Sequence, residues 1–156
     1  MDPVSIPADT MALAGRLALA TLLGAAVGVD REIALKPAGL RTHALVSLGA
    51  ALVTIVGLQL GHSGGDTAAP GRIIQGLVAG IGFIGGGVIL HRRDAQEVEG
   101  LTTAASIWIA SVTGVAVATG LWRGALAAVI LSLILLSLGR PVDDALKKIR
   151  SNQREK

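Results

Sequence analysis

Ten charged residues stand in two short stretches of an otherwise apolar chain, and chemistry is sought there first. Asp30, Arg31, Glu32, Lys36 and Arg41 form one stretch; Arg92, Arg93, Asp94, Glu97 and Glu99 form the other. Each leads into an apolar segment, opening at Gly39 and at Gly100. If those segments are helices, their first N–H groups and positive dipole ends favour anions. Arg41, Thr42, Thr102 and Thr103 would then line a pocket for a carboxylate or phosphate, with Asp30 at its edge. The alternative is that Thr42 and Thr103 cap their helices and the charges simply pair.

A divalent cation is the competing ligand, since Mg²⁺ is usually held by one or two carboxylates plus waters. Asp30 and Glu32, like Glu97 and Glu99, are two residues apart, which on a helix turns them to different faces. One carboxylate from each stretch would have to converge, and Asp30 is the candidate metal ligand. His43 has no second His or Cys at ligand spacing, and the chain has no cysteine at all. No nucleophile–base motif, phosphate loop or zinc motif stands out. The expectation is therefore a non-enzyme without a resident cofactor, Mg²⁺ being the weakly supported exception. With Phe83, Trp108 and Trp122 as its only aromatics, the chain offers no stacking platform for nucleic acid.

The elements that would position these residues are membrane helices. Of 156 residues, 51% are apolar and only 16% charged, against about 25% charged in a soluble domain. Crossing the hydrocarbon core takes about 17–25 apolar residues. Five segments qualify, at about 11–29, 40–60, 73–90, 101–119 and 122–139. The fold class is thus all-α, a bundle of about five transmembrane helices over residues 1–139, with a basic amphipathic tail over 140–156. Residues 1–10 hold Asp2 and Asp9 but no Lys or Arg, so the first segment reads as an uncleaved helix. Eleven Lys and Arg fall on one side of this arrangement and two on the other. By the positive-inside rule the N-terminus lies outside and the C-terminus inside, in a bacterial-type inner membrane. Arg16 falls within the first span, close enough to its outer end to snorkel. No carboxylate lies mid-span, so no proton relay is expected.

Glycines recur at four-residue spacing: Gly24 and Gly28, Gly57 and Gly61, Gly76 and Gly80, Gly82 and Gly86. Such pairs let helix backbones approach closely. The third helix, with six glycines between Gly76 and Gly87, is expected to be central. A faint repeat is also present: Gly39-Leu40-Arg41-Thr42-His43-Ala44 and Gly100-Leu101-Thr102-Thr103-Ala104-Ala105 both read G-L-x-T-x-A, 61 residues apart. It suggests two parallel helical hairpins plus a fifth helix. In the tail, Val142, Ala145, Leu146 and Ile149 are helically spaced, with Asp143 and Asp144 early and Lys147, Lys148 and Arg150 late. Such a helix suits anionic headgroups.

Four stretches resemble the MgtC/SapB family of bacterial membrane proteins. They are Gly24 to Glu32 (GAAVGVDRE), Lys36 to Ala50 (KPAGLRTHALVSLGA), Gly71 to Ile89 (GRIIQGLVAGIGFIGGGVI) and Gly100 to Trp108 (GLTTAASIW). The resemblance implies a bundle of four or five helices with its N-terminus outside. It also implies a part in growth at low magnesium, exerted by regulating other inner-membrane proteins or by transporting Mg²⁺. Membrane lipids and other inner-membrane proteins are the expected partners, and a homo-oligomer is compatible. Many members append a soluble C-terminal domain, for which the residues after Gly139 are too few. Asp30, Arg31, Gly39, Arg41, Thr42, Thr102 and Thr103 are the positions onto which the resemblance carries a role.

Overall fold

A computed structural model describes residues 9–90 and 100–154, with side chains over 9–89 and 100–139. The charged stretch Arg92 to Glu99 and the side chains of the tail lie outside the described residues, and so do the expectations that fall on them.

Five helices follow one another. Asp9 opens α1 (Thr10–Ile33) by accepting a hydrogen bond from the Met11 N–H at 3.1 Å. The helix closes with Leu35 in the left-handed region (φ 53°) and the Lys36 N–H on the Arg31 carbonyl at 3.0 Å. A non-glycine residue held there costs about 1–3 kcal/mol, so the turn is over-determined by its surroundings. The next helices are α2 (Leu40–Gly64) and α3 (Ala69–Leu90), the latter with Pro70 in its first turn, where a missing N–H costs nothing. Between them, Asp66 pairs with the Arg72 guanidinium and accepts from the Ala68 N–H. The guanidinium holds its carboxyl below the usual carboxylate range. That contribution is present above the unfolded pKa of about 3.9 and fades as pH falls through the lower folded value. α4 (Leu101–Ala118) and α5 (Trp122–Arg154) are joined by a tight hairpin. Gly120 supplies its positive φ (90°), and the Leu121 N–H returns to the Ala116 carbonyl at 2.8 Å. Helix α5 runs without a break through Pro141, so the tail continues the last span instead of starting a separate element.

All five helices are long and apolar enough to cross a bilayer, as Thr10–Ile33, Leu40–Gly64, Ala69–Ile89, Leu101–Ala118 and Trp122–Gly139. The central helix is α4, not the glycine-rich α3. Half of the α4 span is buried and it meets all four other helices, whereas α3 is 11% buried and, among the described residues, touches only α2 and α4. Glycine is permissive, but a helix becomes central only where its neighbours complement it. The core joins Ala20, Leu23 and Val27 of α1 to Ala51 and Ile55 of α2, Val117 of α4 and Val129 of α5.

Three glycine contacts set these axes. A Cβ added at Gly24 would lie 2.5 Å from the Ser47 Cβ and 2.6 Å from the His43 carbonyl oxygen, and one added at Gly28 would lie 2.6 Å from the Leu40 Cα. Across α2, a Cβ on Gly114 would come 2.1 Å from the Ser47 carbonyl oxygen. Gly76, Gly80, Gly82 and Gly86, by contrast, would meet nothing within 4 Å among the described residues, so they bring no two of the described helices together. Arg16 finds a backbone partner. Its Nη1 donates to the Ala118 carbonyl at 2.8 Å, closing the C-terminus of α4 where a cation suits the helix dipole.

Gly114→Ala should therefore destabilise the bundle by about 1–3 kcal/mol, the usual cost of overpacking. Gly124→Ala, in open space on α5, should stay within about 0.5 kcal/mol. Thermal unfolding in nanodiscs separates the two, and equal tolerance would refute the α2–α4 contact.

Candidate functional site: a buried polar cluster at the starts of α2 and α4

The run Asp30-Arg31-Glu32 ends α1, and the 100° step of a helix sends its three charges in different directions. Glu32 turns toward α2, where its Oε2 accepts the Leu40 N–H at 2.9 Å. The α2 N-terminus thus already holds an anion, a carboxylate of the chain itself. Gly39 makes room for it, since a Cβ there would stand 1.7 Å from the Glu32 Oε2. Arg31 turns inward and is 3% exposed. Its Nη2 donates to the Thr103 Oγ1 at 3.3 Å, tying the end of α1 to the start of α4. Asp30 is half-buried.

One turn along α2, His43 is fully buried between α2 and α4. Its Nδ1 lies 2.9 Å from the Gly39 carbonyl oxygen and its Nε2 lies 2.9 Å from the Ser106 Oγ. A carbonyl only accepts, so Nδ1 carries the ring proton and Nε2 is left to accept from the Ser106 hydroxyl. That hydroxyl also lies 2.8 Å from the Thr103 carbonyl, and with one proton it serves one acceptor at a time. The Ser106–His43 spacing is that of a nucleophile and its base. Both side chains are sealed inside the bundle, however, and the contact binds two helices instead of facing a substrate.

The two G-L-x-T-x-A segments occupy the same structural position. Gly39 and Gly100 are the N-caps, neither with a side-chain cap, and the His43 and Ala104 N–H groups bond to their carbonyls. Gly100 must be glycine for another reason than Gly39, because its φ is 92°. Thr42 and Thr103 therefore do not cap their helices; Thr103 accepts from Arg31 instead. Of the four residues expected to share a pocket, Arg41 and Thr102 are exposed, Thr42 is half-buried and Thr103 is buried. The residues actually brought together are Arg31, His43, Thr103 and Ser106. Lys36 and Glu32 are exposed beside them. Among the described residues no group of three His, Cys, Asp or Glu is placed to hold a metal, and the carboxylates expected to converge with Asp30, Glu97 or Glu99, lie outside them.

His43 and Ser106 were missed as a pair, although a signal was present. Thr103, Ser106, Ala110, Thr113 and Val117 follow one stripe of α4, all buried, and His43, Ser47, Ala50 and Thr54 follow the facing stripe of α2.

Five apolar helices around a sealed polar cluster define a multi-pass membrane protein. The model of the MgtC family matches residues 17–145, and the chain belongs to that family. Among its relatives, Protein SrpB of Synechococcus elongatus is 39% identical over 146 residues, covering 88% of this chain and 80% of its own. The putative magnesium transporter YhiD of Escherichia coli K12 is 39% identical over 130 residues, 79% of this chain and 58% of its own. Protein MgtC of Salmonella typhimurium is 42% identical over 117 residues, 75% of this chain and 48% of its own. The chain thus spans about half the length of the latter two relatives. No solved structure matches it.

Replacing Arg31 by alanine removes a charged hydrogen bond from a buried position, a loss of about 1.5–3 kcal/mol. Glu32→Ala strips the α2 cap at a cost of about 0.5–2 kcal/mol. Arg41→Ala, on the exposed face, should stay within about 0.5 kcal/mol. Unfolding of the three variants in one lipid composition tests this order, and a costly Arg41→Ala would reverse the assignment of the inward residue.

Proposed function

We propose that this protein acts in magnesium homeostasis as a non-enzymatic inner-membrane protein, with the Arg31 cluster facing the cytoplasm and serving to bind a partner or small ligand. Family membership and the names of the Escherichia coli and Salmonella relatives support the link to magnesium. The eleven-to-two distribution of Lys and Arg supports the orientation. The observation that carries the reading is the pair of exposed cations, Lys36 and Arg41, set beside the buried Arg31 at the starts of α2 and α4. Ammonium and guanidinium groups there favour carboxylate or phosphate groups over a divalent cation. Arg31, Thr103 and the exposed Arg41, Lys36 and Thr102 around them form the recognising surface.

The second reading, a transporter or channel for Mg²⁺ or another small ion, is favoured by the name of the Escherichia coli relative. Liposomes carrying only this protein distinguish the two. Mg²⁺ entry should not exceed that of protein-free liposomes, and protein-dependent, saturable entry would overturn the first reading. In cells, Arg31→Gln should abolish rescue of growth at low magnesium at unchanged membrane abundance, while Arg123→Gln, paired with Trp122 at the other end of the bundle, should rescue fully.

A further inference from the structure

Among the described residues, four of the Lys and Arg side chains are engaged within the chain. Arg16 donates to the Ala118 carbonyl, Arg31 donates to Thr103, Arg72 pairs with Asp66 and Arg123 lies over the Trp122 ring. Lys36 and Arg41 are exposed and have no hydrogen bond, ion pair or ring contact among the described residues. Both stand where lipid-facing surface ends. On α2, Arg41, Leu45, Leu52 and Val56 fall on one exposed stripe at helical spacing, and on α1 Leu22, Val29 and Ile33 do the same. In a bundle that crosses a bilayer such stripes face acyl chains, so Arg41 lies where a long basic side chain reaches the headgroups. Between the two stripes, Leu35 is held at φ 53° with its side chain 92% exposed, directly before Lys36. A strained turn that sends a leucine outward gains from apolar surroundings and not from water.

We infer that the α1–α2 turn binds the headgroup of an anionic phospholipid, Lys36 and Arg41 holding its phosphate while Ile33, Leu35 and Leu45 lie along its acyl chains. The inference rests on the anion-recognising reading given above and names the ligand of that surface, a lipid and not a soluble anion. Arg41 shares its stripe with side chains that face hydrocarbon, so the anion that reaches it most readily is one already seated in the bilayer. Ile33 and Leu35 flank Lys36 with exposed apolar surface, which an acyl chain covers and a small soluble anion leaves bare. The ammonium supplies a point charge and the guanidinium a planar fork, both suited to phosphate oxygens. A zwitterionic headgroup brings its own cation to that phosphate, so a headgroup of net negative charge is preferred.

The absence of native cysteine makes a local test direct. A fluorophore on Leu45→Cys, one turn from Arg41, reads the lipids beside the turn, and one on Leu131→Cys reads the exposed surface of α5. In nanodiscs of mixed phosphatidylcholine and phosphatidylglycerol, brominated phosphatidylglycerol should quench the Leu45 site several-fold more strongly than brominated phosphatidylcholine at the same mole fraction. At the Leu131 site the two should quench alike. Each cation beside an anionic lipid contributes a factor of about five. Lys36→Gln together with Arg41→Gln should therefore bring the ratio down to that at Leu131, while Lys36→Arg, which keeps the charge, should preserve it. Equal quenching by the two lipids at Leu45 overturns the inference. So does a saturable response of the Leu45 fluorophore to soluble glycerol phosphate in phosphatidylcholine alone, a result that would leave the anion-recognising reading standing. That reading fails separately, if Arg31→Gln cells still grow at low magnesium.

Discussion

The whole bundle depends on one close approach. Ser47 of α2 has Gly24 of α1 on one side and Gly114 of α4 on the other, each near enough that a methyl group would collide. Its hydroxyl adds a bond to the Ala20 carbonyl at 2.7 Å. In a bilayer the lipid tails are as apolar as the side chains, so association rests on contacts of this kind. Once three axes are locked at Ser47, the polar cluster has little freedom left. His43 lies one turn from Ser47, Ser106 about two turns from Gly114, and Arg31 about two turns from Gly24, all toward the same end.

The five spans were legible because length and hydropathy alone decide what can cross a bilayer. Helix packing was only half legible. Gly24 with Gly28 and Gly76 with Gly80 share one spacing, yet the first pair lies against the α2 backbone while the second faces open space. Spacing shows that a face can be approached, and the partner decides whether it is. The sequence pointed to the end of α1 and the starts of α2 and α4, but which charge of α1 turns inward was not read. That choice is a matter of phase. Ala20, Leu23, Gly24, Val27 and Gly28 form the buried stripe of α1, and the next position on it is Arg31, not Asp30 or Glu32. Following the stripe to its end would have found it. The hydrogen bonds of Arg31 and His43 cross 72 and 63 residues, and no local pattern reports them.

The buried polar groups are also graded by depth. Arg31 stands at the end of the bundle and His43 one turn in, while Ser47, Thr54, Ser111 and Thr113 lie farther along. Burying a charge costs most at the bilayer centre, so the guanidinium sits where the span ends and only hydroxyls continue inward. Two of those hydroxyls donate to backbone, Thr54 to the Ala50 carbonyl of its own helix at 2.7 Å and Ser47 across to Ala20 of α1, while the Thr113 Oγ1 has no hydrogen-bond partner among the described residues. The Ser47 bond stitches α2 to α1, whereas the Thr54 bond stays within α2.

On the reading proposed above, the same placement would couple recognition to architecture. Thr103 receives Arg31 through a single bond of 3.3 Å, long for a charged donor, at the point where α1 reaches α4. An incoming carboxylate or phosphate would hold the guanidinium more tightly than a hydroxyl does, so it competes for the very group that joins those helices. Glu32 shows the principle already at work, since a carboxylate seated on the α2 N-terminus fixes how α1 turns into α2. A ligand that draws Arg31 outward must loosen α1 from α4 by as much as it binds the looser arrangement better. Because α4 meets every other helix, that displacement cannot remain local to the site.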